Sequence, residues 1–139
     1  MNTKTINVQV LALLGDAVLS LYIREELLKQ GINNANKLQD MSIKYVSAKG
    51  EVTILNKLIE DNLLTEEELD IIKRGRNNKK ENHPKNTDII TYKLSTGFEA
   101  LLGDLYLNDK ERLKEILNKI ETNYNVSIEN WNIFETYMK

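Results

Sequence analysis

Two acids occupy positions where an unsupported acid is costly. The run Val10-Leu-Ala-Leu-Leu-Gly-Asp-Ala-Val-Leu-Ser-Leu-Tyr-Ile23 carries one charge, Asp16, and the run Thr96-Gly-Phe-Glu-Ala-Leu-Leu-Gly-Asp-Leu-Tyr-Leu107 carries two, Glu99 and Asp104. The pentapeptide Ala-Leu-Leu-Gly-Asp occurs in both, at 12–16 and 100–104. An ionised carboxylate in apolar surroundings must be paired, strongly hydrogen-bonded or bound to a metal. Three readings are open: the acids face solvent, they pair with a buried Lys or Arg, or they share a site for a hard divalent cation. Magnesium suits the last, because it prefers six oxygens, keeps several waters and asks only one or two carboxylates of the protein. Ala12, four residues before Asp16, and Thr96, three before Glu99, share a helical face with those acids and leave room for an ion and its waters. Asp104 follows Glu99 by five residues, about 140° round a helix of ~3.6 residues per turn. It therefore points elsewhere, and its echo of Asp16 is a decoy.

Other chemistries lack their parts. There is no cysteine, which excludes disulfides, thiol catalysis and cysteine-ligated zinc. The one histidine, His83, sits in a polar stretch and offers no base for a Ser–His or Cys–His mechanism. The Gly-x-x-x-x-Gly-Lys-Ser/Thr phosphate loop is missing. A helical metal hydrolase acting on nucleotides would need more His or Asp ligands than this chain offers.

The elements that must carry the acids are helical. One proline, six glycines and no sustained apolar/polar alternation argue against strands. The pattern predicts an all-α fold, with helices at 6–30, 36–47, 48–62, 65–76, 87–107, 109–122 and 128–138. Gly31 with Asn33 and Asn34 ends the first, Thr65 and Glu68 form a capping box, and Asn108 with Asp109 caps the sixth. Residues 77–86 form the longest polar stretch and a candidate mobile loop. Ile54, Leu55, Leu58 and Ile59 read as a core face, and Trp131, Phe134 and Tyr137 as the packing face of a terminal helix. The first helix is apolar around most of its circumference, which suits burial on several sides, a dimer contact included. At 139 residues one domain, 1–139, is expected. The run at 10–23 is too short to span a bilayer and no basic-then-apolar leader opens the chain, so a cytoplasmic protein is expected.

Charge is uneven. Residues 73–85 hold six basic groups and one acid, a net +5 on a chain of −2, which leaves −7 on the rest. Such a segment is either a solvated helix end, its cations favoured by the helix dipole, or a phosphate-binding strip.

The residues now resemble a known family. Leu13-Leu-Gly-Asp-Ala-Val-Leu19 looks like the end of the ribonuclease III signature, and Phe98-Glu-Ala-Leu-Leu-Gly-Asp-Leu-Tyr-Leu107 resembles that family's second catalytic helix. Arg74-Gly-Arg-Asn77 and Ser95-Thr-Gly-Phe-Glu-Ala-Leu101 are similar to motifs of its short bacterial branch, Mini-ribonuclease III, which lacks a double-stranded-RNA-binding domain. The resemblance spans residues 8–107. It implies a homodimeric, all-α ribonuclease III catalytic domain that cuts double-stranded RNA with Mg2+. The implied substrate is precursor 23S ribosomal RNA. Asp16 and Glu99 match the family's metal-linked acids, and Lys73, Arg74, Arg76, Asn77, Lys79, Lys80 and Lys85 become RNA contacts. Where full-length ribonuclease III has glutamates seven and four residues before the aspartate, this chain has Gln9 and Ala12; where it has an aspartate three before the glutamate, this chain has Thr96. The short branch resembles this chain in those losses, which leave fewer protein ligands per metal. A catalytically silent RNA-binding or ribosome-associated module is the rival, and the presence of both Asp16 and Glu99 speaks against it.

Overall fold

Side-chain caps set where each helix starts in the computed structural model, which describes residues 1–78 and 88–122. A short 3-10 helix, Thr3–Thr5, leads into α1 (Val8–Lys29), α2 (Ala35–Val46), α3 (Ala48–Glu60), α4 (Glu66–Arg76), α5 (Ile89–Asn108) and α6 (Lys110–Asn118). Asn7, Asn34, Ser47, Thr65, Asp88 and Asp109 each accept a backbone N–H of the first turn that follows, as residues of these types do at helix starts. At Thr65 the predicted capping box is present in both directions.

Predicted ends move by one to four residues. Helix α1 starts at Val8 rather than 6, because Asn7 is its cap; α5 starts at Ile89 rather than 87, because Asp88 is. Helix α6 stops at Asn118 rather than 122, where the N–H groups of Lys119 and Ile120 turn back to Ile116 and Leu117 in tighter i→i+3 bonds. Asp109 caps α6 alone; Asn108 ends α5 and donates its amide to Thr3 Oγ1 at 2.8 Å. The predicted helix at 128–138, with Trp131, Phe134 and Tyr137, lies outside the described residues, as do Lys79, Lys80, His83 and Lys85. Among the described residues there is no strand, and no helix is long and apolar enough to cross a membrane.

Two helices stop in the same way. Gly31 (φ 95°) and Asn62 (φ 55°) take the left-handed conformation after α1 and α3. In each case the next N–H reaches back five residues, Ile32 to Leu27 O and Leu63 to Leu58 O, while Ile32 and Leu63 pack on the core. This is the Schellman arrangement, for which Gly and Asn are the cheapest residues.

Helix α5 is the hub, packed against α1, α3, α4 and α6, and its Phe98, Leu101 and Leu102 are fully buried. It crosses α1 backbone to backbone. A Cβ on Gly15 would overlap the Glu99 carbonyl oxygen, and a Cβ on Gly103 would overlap that of Leu11. The contact is reciprocal: each glycine meets the carbonyl four residues before the other. The repeated Ala-Leu-Leu-Gly-Asp thus marks the two sides of one helix crossing.

On α3 the core face differs from the predicted one. Leu55 and Leu58 are buried, Ile54 is partly buried and Ile59 is 46 % exposed. The third buried residue of that face is Glu51, four residues before Leu55, on one helical stripe with it.

Candidate metal centre

The α1–α5 crossing brings Asp16 beside Glu99, and α3 delivers Glu51 to the same point. One carboxylate oxygen from each of Asp16, Glu51 and Glu99 lies within 4.8 Å of the others. Asp16 is partly exposed, Glu99 intermediate and Glu51 1 % exposed, so the cluster runs from the surface into the core. Asp16 and Glu99 open into a cleft of about 350 Å3 also lined by Gln9, Ala12, Leu13, Tyr92 and Thr96. Ala12 and Thr96 flank the acids as their spacing predicts. Thr96 donates its hydroxyl to Tyr92 O at 3.0 Å, and Gln9 donates its amide to Asn78 Oδ1 at 2.7 Å.

Glu51 escaped the sequence reading, although its position in register with Leu55 and Leu58 was a usable signal. Burial holds its carboxyl far above the ordinary carboxylate range, and the Glu99 carboxyl, through charge and hydrogen bonding, and then the charge of Asp16 push it further. Its Oε2 is buried with no hydrogen-bond partner among the described residues. Three hard oxygen donors, mutual repulsion and one orphaned buried oxygen form a donor set that a divalent cation satisfies: its charge removes the repulsion and its coordination takes up the lone pair. The residues fit the group.

Asp104 stays apart, as its helical angle predicts. It opens with Glu67, Asp70, Arg74 and Asn108 into a different cleft, of about 700 Å3. The reciprocal crossing explains the asymmetry. Asp16 finds Glu99 across from it, whereas the residue equivalent to Glu99 on Asp104's side is Leu11, which is buried and apolar.

Of the basic residues, Lys73, Arg74 and Arg76 form the last turns of α4, with Asn77 as its C-cap. All four are exposed. Arg74 donates to Ile6 O at 3.1 Å and Arg76 to Asn77 Oδ1 at 3.2 Å.

A helical crossing that assembles acids from three helices defines a class, and comparison with known proteins gives its name. The model of the ribonuclease III domain matches residues 9–110, and the chain belongs to the ribonuclease III family, whose enzymes are endoribonucleases. Its place is the Mini-ribonuclease 3 branch. The protein of that name from Staphylococcus aureus (strain NCTC 8325 / PS 47) is 48 % identical over 120 residues, 86 % of this chain and 90 % of that one. The Streptococcus pneumoniae (strain ATCC BAA-255 / R6) Mini-ribonuclease 3 is 44 % identical, over 81 % and 89 %. A crystal structure of a Fusobacterium nucleatum protein superposes with a TM-score of 0.74 at 34 % identity, covering 85 % of this chain and 95 % of that one.

Proposed function

We propose that this chain is a magnesium-dependent endoribonuclease that hydrolyses phosphodiesters of double-stranded RNA, with Asp16 and Glu99 as its catalytic, metal-holding acids. The observation that carries this reading is the meeting of Asp16, Glu51 and Glu99 in one cluster at the floor of an open cleft. When bound, Mg2+ supplies an activated water and charge stabilisation at the phosphate. Asp16 and Glu99 present oxygens from the cleft wall, and Glu51 closes the site from the core side. Lys73, Arg74, Arg76 and Asn77, with Lys79, Lys80 and Lys85 farther along, bind the duplex through phosphates and 2′-hydroxyls, the features by which A-form RNA is recognised. The acidic remainder of the chain disfavours nucleic acid elsewhere on the surface.

One cluster attacks one strand, so cutting both calls for two copies. We place the homodimer contact on the outer face of α1, where Val10 (57 %), Leu13 (72 %) and Leu21 (67 %) are exposed in a stripe. The chain acts as a single catalytic domain, 1–139, in the cytoplasm, and its natural substrate is precursor 23S ribosomal RNA. The test is turnover of a long RNA duplex with and without Mg2+, with mapping of 23S precursor ends in depleted cells. No cleavage at any Mg2+ concentration, with binding retained, would mark a silent RNA-binding module. Full double-strand cleavage by a species that scatters light as a monomer would remove the dimer.

A further inference from the structure

The ion that the acid cluster fits is a hydrated one. Magnesium takes six oxygens and usually keeps several of them as water. Water on a divalent cation is a strong hydrogen-bond donor, because the charge draws electrons from its O–H bonds. The cleft must therefore offer acceptors beside the carboxyls of Asp16, Glu51 and Glu99. Of the other side chains that line it, Ala12 and Leu13 carry no oxygen, and the Gln9 amide donates to Asn78 Oδ1 at 2.7 Å. Thr96 lines the same cleft, three residues before Glu99 and on the same face of α5.

The Thr96 hydroxyl has one proton, and it is committed. Oγ1 donates to Tyr92 O at 3.0 Å, the usual back-bond of a helical threonine. Any further partner meets this oxygen as an acceptor only. The side chain is also fixed in place. It is 7 % exposed, and branching at Cβ restricts its χ1. The next residue leaves α5 no room to shift: a Cβ on Gly97 would overlap the Ile72 carbonyl oxygen of α4. A second observation places an ion here, the buried Glu51 Oε2 that has no partner among the described residues. We infer that Thr96 is a positioning residue that holds a hydrated divalent cation over Asp16 and Glu99 by accepting a hydrogen bond from the ion's water, without ligating the ion itself. The inference rests on the metal-dependent reading given above. Thr96 is neutral, so it adds an acceptor without adding a fourth negative charge to three acids that already repel one another.

The experiment uses Mn2+ as the probe, with no RNA present, on wild type, Thr96→Val, Thr96→Ser and Asp16→Asn. Electron paramagnetic resonance of the free ion gives the affinity, and water-proton relaxation counts the waters on the bound ion. Thr96→Val keeps the shape and loses the hydroxyl. It should weaken Mn2+ binding by about 10–100-fold, the range for partners behind a metal's direct ligands, at an unchanged water count and with melting in chelator little altered. Thr96→Ser keeps the hydroxyl and should stay near wild type. Wild-type affinity in Thr96→Val overturns the inference. So does a Thr96→Ser variant as weak as Thr96→Val, which would assign the effect to packing of the methyl group. A raised water count in Thr96→Val also overturns it, because Thr96 would then be a direct ligand. Asp16→Asn separates this inference from the reading beneath it. Unchanged Mn2+ affinity in that variant puts the ion elsewhere, and both fall. Binding lost in Asp16→Asn but intact in Thr96→Val removes the Thr96 role alone. Mn2+ held through Asp16 and Thr96 by a protein that cuts no RNA would keep the inference and remove the activity.

Discussion

Glu51 and Glu68 are both withdrawn from solvent, at 1 % and 6 % exposure. Glu68 Oε1 accepts the Thr65 N–H at 2.9 Å and Arg112 Nη2 at 2.8 Å, and its Oε2 accepts Arg112 Nε at 2.7 Å. Burial pushes its carboxyl up, but the bonds from Arg112 and Thr65 prevail and hold it below the ordinary range. Glu51 faces two further acids, keeps an oxygen with no partner among the described residues and is held far above that range. One acid joins Arg112 to the cap of α4, and Arg112 in turn donates to Leu63 O. The other lies in an acid cluster that could hold a metal ion. Burial alone therefore does not separate a structural carboxylate from a functional one; what each oxygen is bonded to does.

The contrast can be broken at several points. The largest effect should come from the acids that share Glu51's cluster. Asp16→Asn and Glu99→Gln should each cut turnover of duplex RNA by more than about 100-fold, the upper end for even an outer partner of a metal ligand, with melting nearly unchanged. Wild-type turnover in either variant would remove that acid from the metal site.

Exchanging the two buried glutamates for glutamine should separate function from stability. Glu51→Gln keeps the shape and neutrality of the carboxyl that burial favours, so melting in chelator should hold while activity falls by roughly 10–100-fold. Glu68→Gln should do the opposite, losing about 2–3 kcal/mol of stability, short of a fully buried pair because Arg112 remains 25 % exposed. Its activity per folded molecule should stay at the wild-type level. Denaturant titration beside a turnover assay measures both, and a Glu51→Gln variant that melts lower and cuts normally would erase the distinction.

The pH dependence follows from the Glu68 shift. Its carboxyl is depressed in the folded state, so its contribution is present above the unfolded glutamate value of about 4.3 and fades as pH falls through the lower folded value. Melting temperature against pH between about 3 and 7 should fall less steeply toward acid in Glu68→Gln than in wild type. Parallel curves would show that the Arg112 pair does not shape the acid limb.

The basic segment should respond more mildly. Replacing Arg74, Arg76, Lys79 and Lys80 with alanine should weaken RNA binding and reduce the slope of log affinity against log salt by roughly 0.7–0.9 per lost contact. An unchanged slope and affinity would return the segment to a solvated helix end. Smallest of all, Asp104→Asn should leave cleavage largely intact, and a complete loss there would mean that the wrong copy of Ala-Leu-Leu-Gly-Asp was chosen.

The sequence made Asp16 and Glu99 visible because each is a charge inside an apolar run, where a charge is an anomaly. Glu51 is no anomaly in its own neighbourhood. Helix α3 also carries Lys49, Lys57 and Glu60, so its acid reads as one more surface charge unless polar residues are placed on the helical stripe together with the leucines. The helix starts were legible to within two residues; Thr65 was read as a cap, whereas Asn7 and Asp88, equally local signals, were not. The paired glycines were noticed as a repeated pentapeptide, but their contact was not, because a crossing between positions 15 and 103 leaves no trace in either segment alone. The Gln9–Asn78 bond was illegible for the same reason.

The Gly15–Gly103 crossing carries a thermal consequence. Asp16 adjoins one glycine, and Glu99 contributes the carbonyl against which the other helix rests. The separation of these acids is thus ruled by main-chain atoms at the centre of the molecule, with no side chain between them to act as a compliant spacer. Warming should leave this geometry intact until the whole α1–α5 core opens. Heat inactivation and global melting should then coincide in temperature, with no range in which a folded protein has already lost its site.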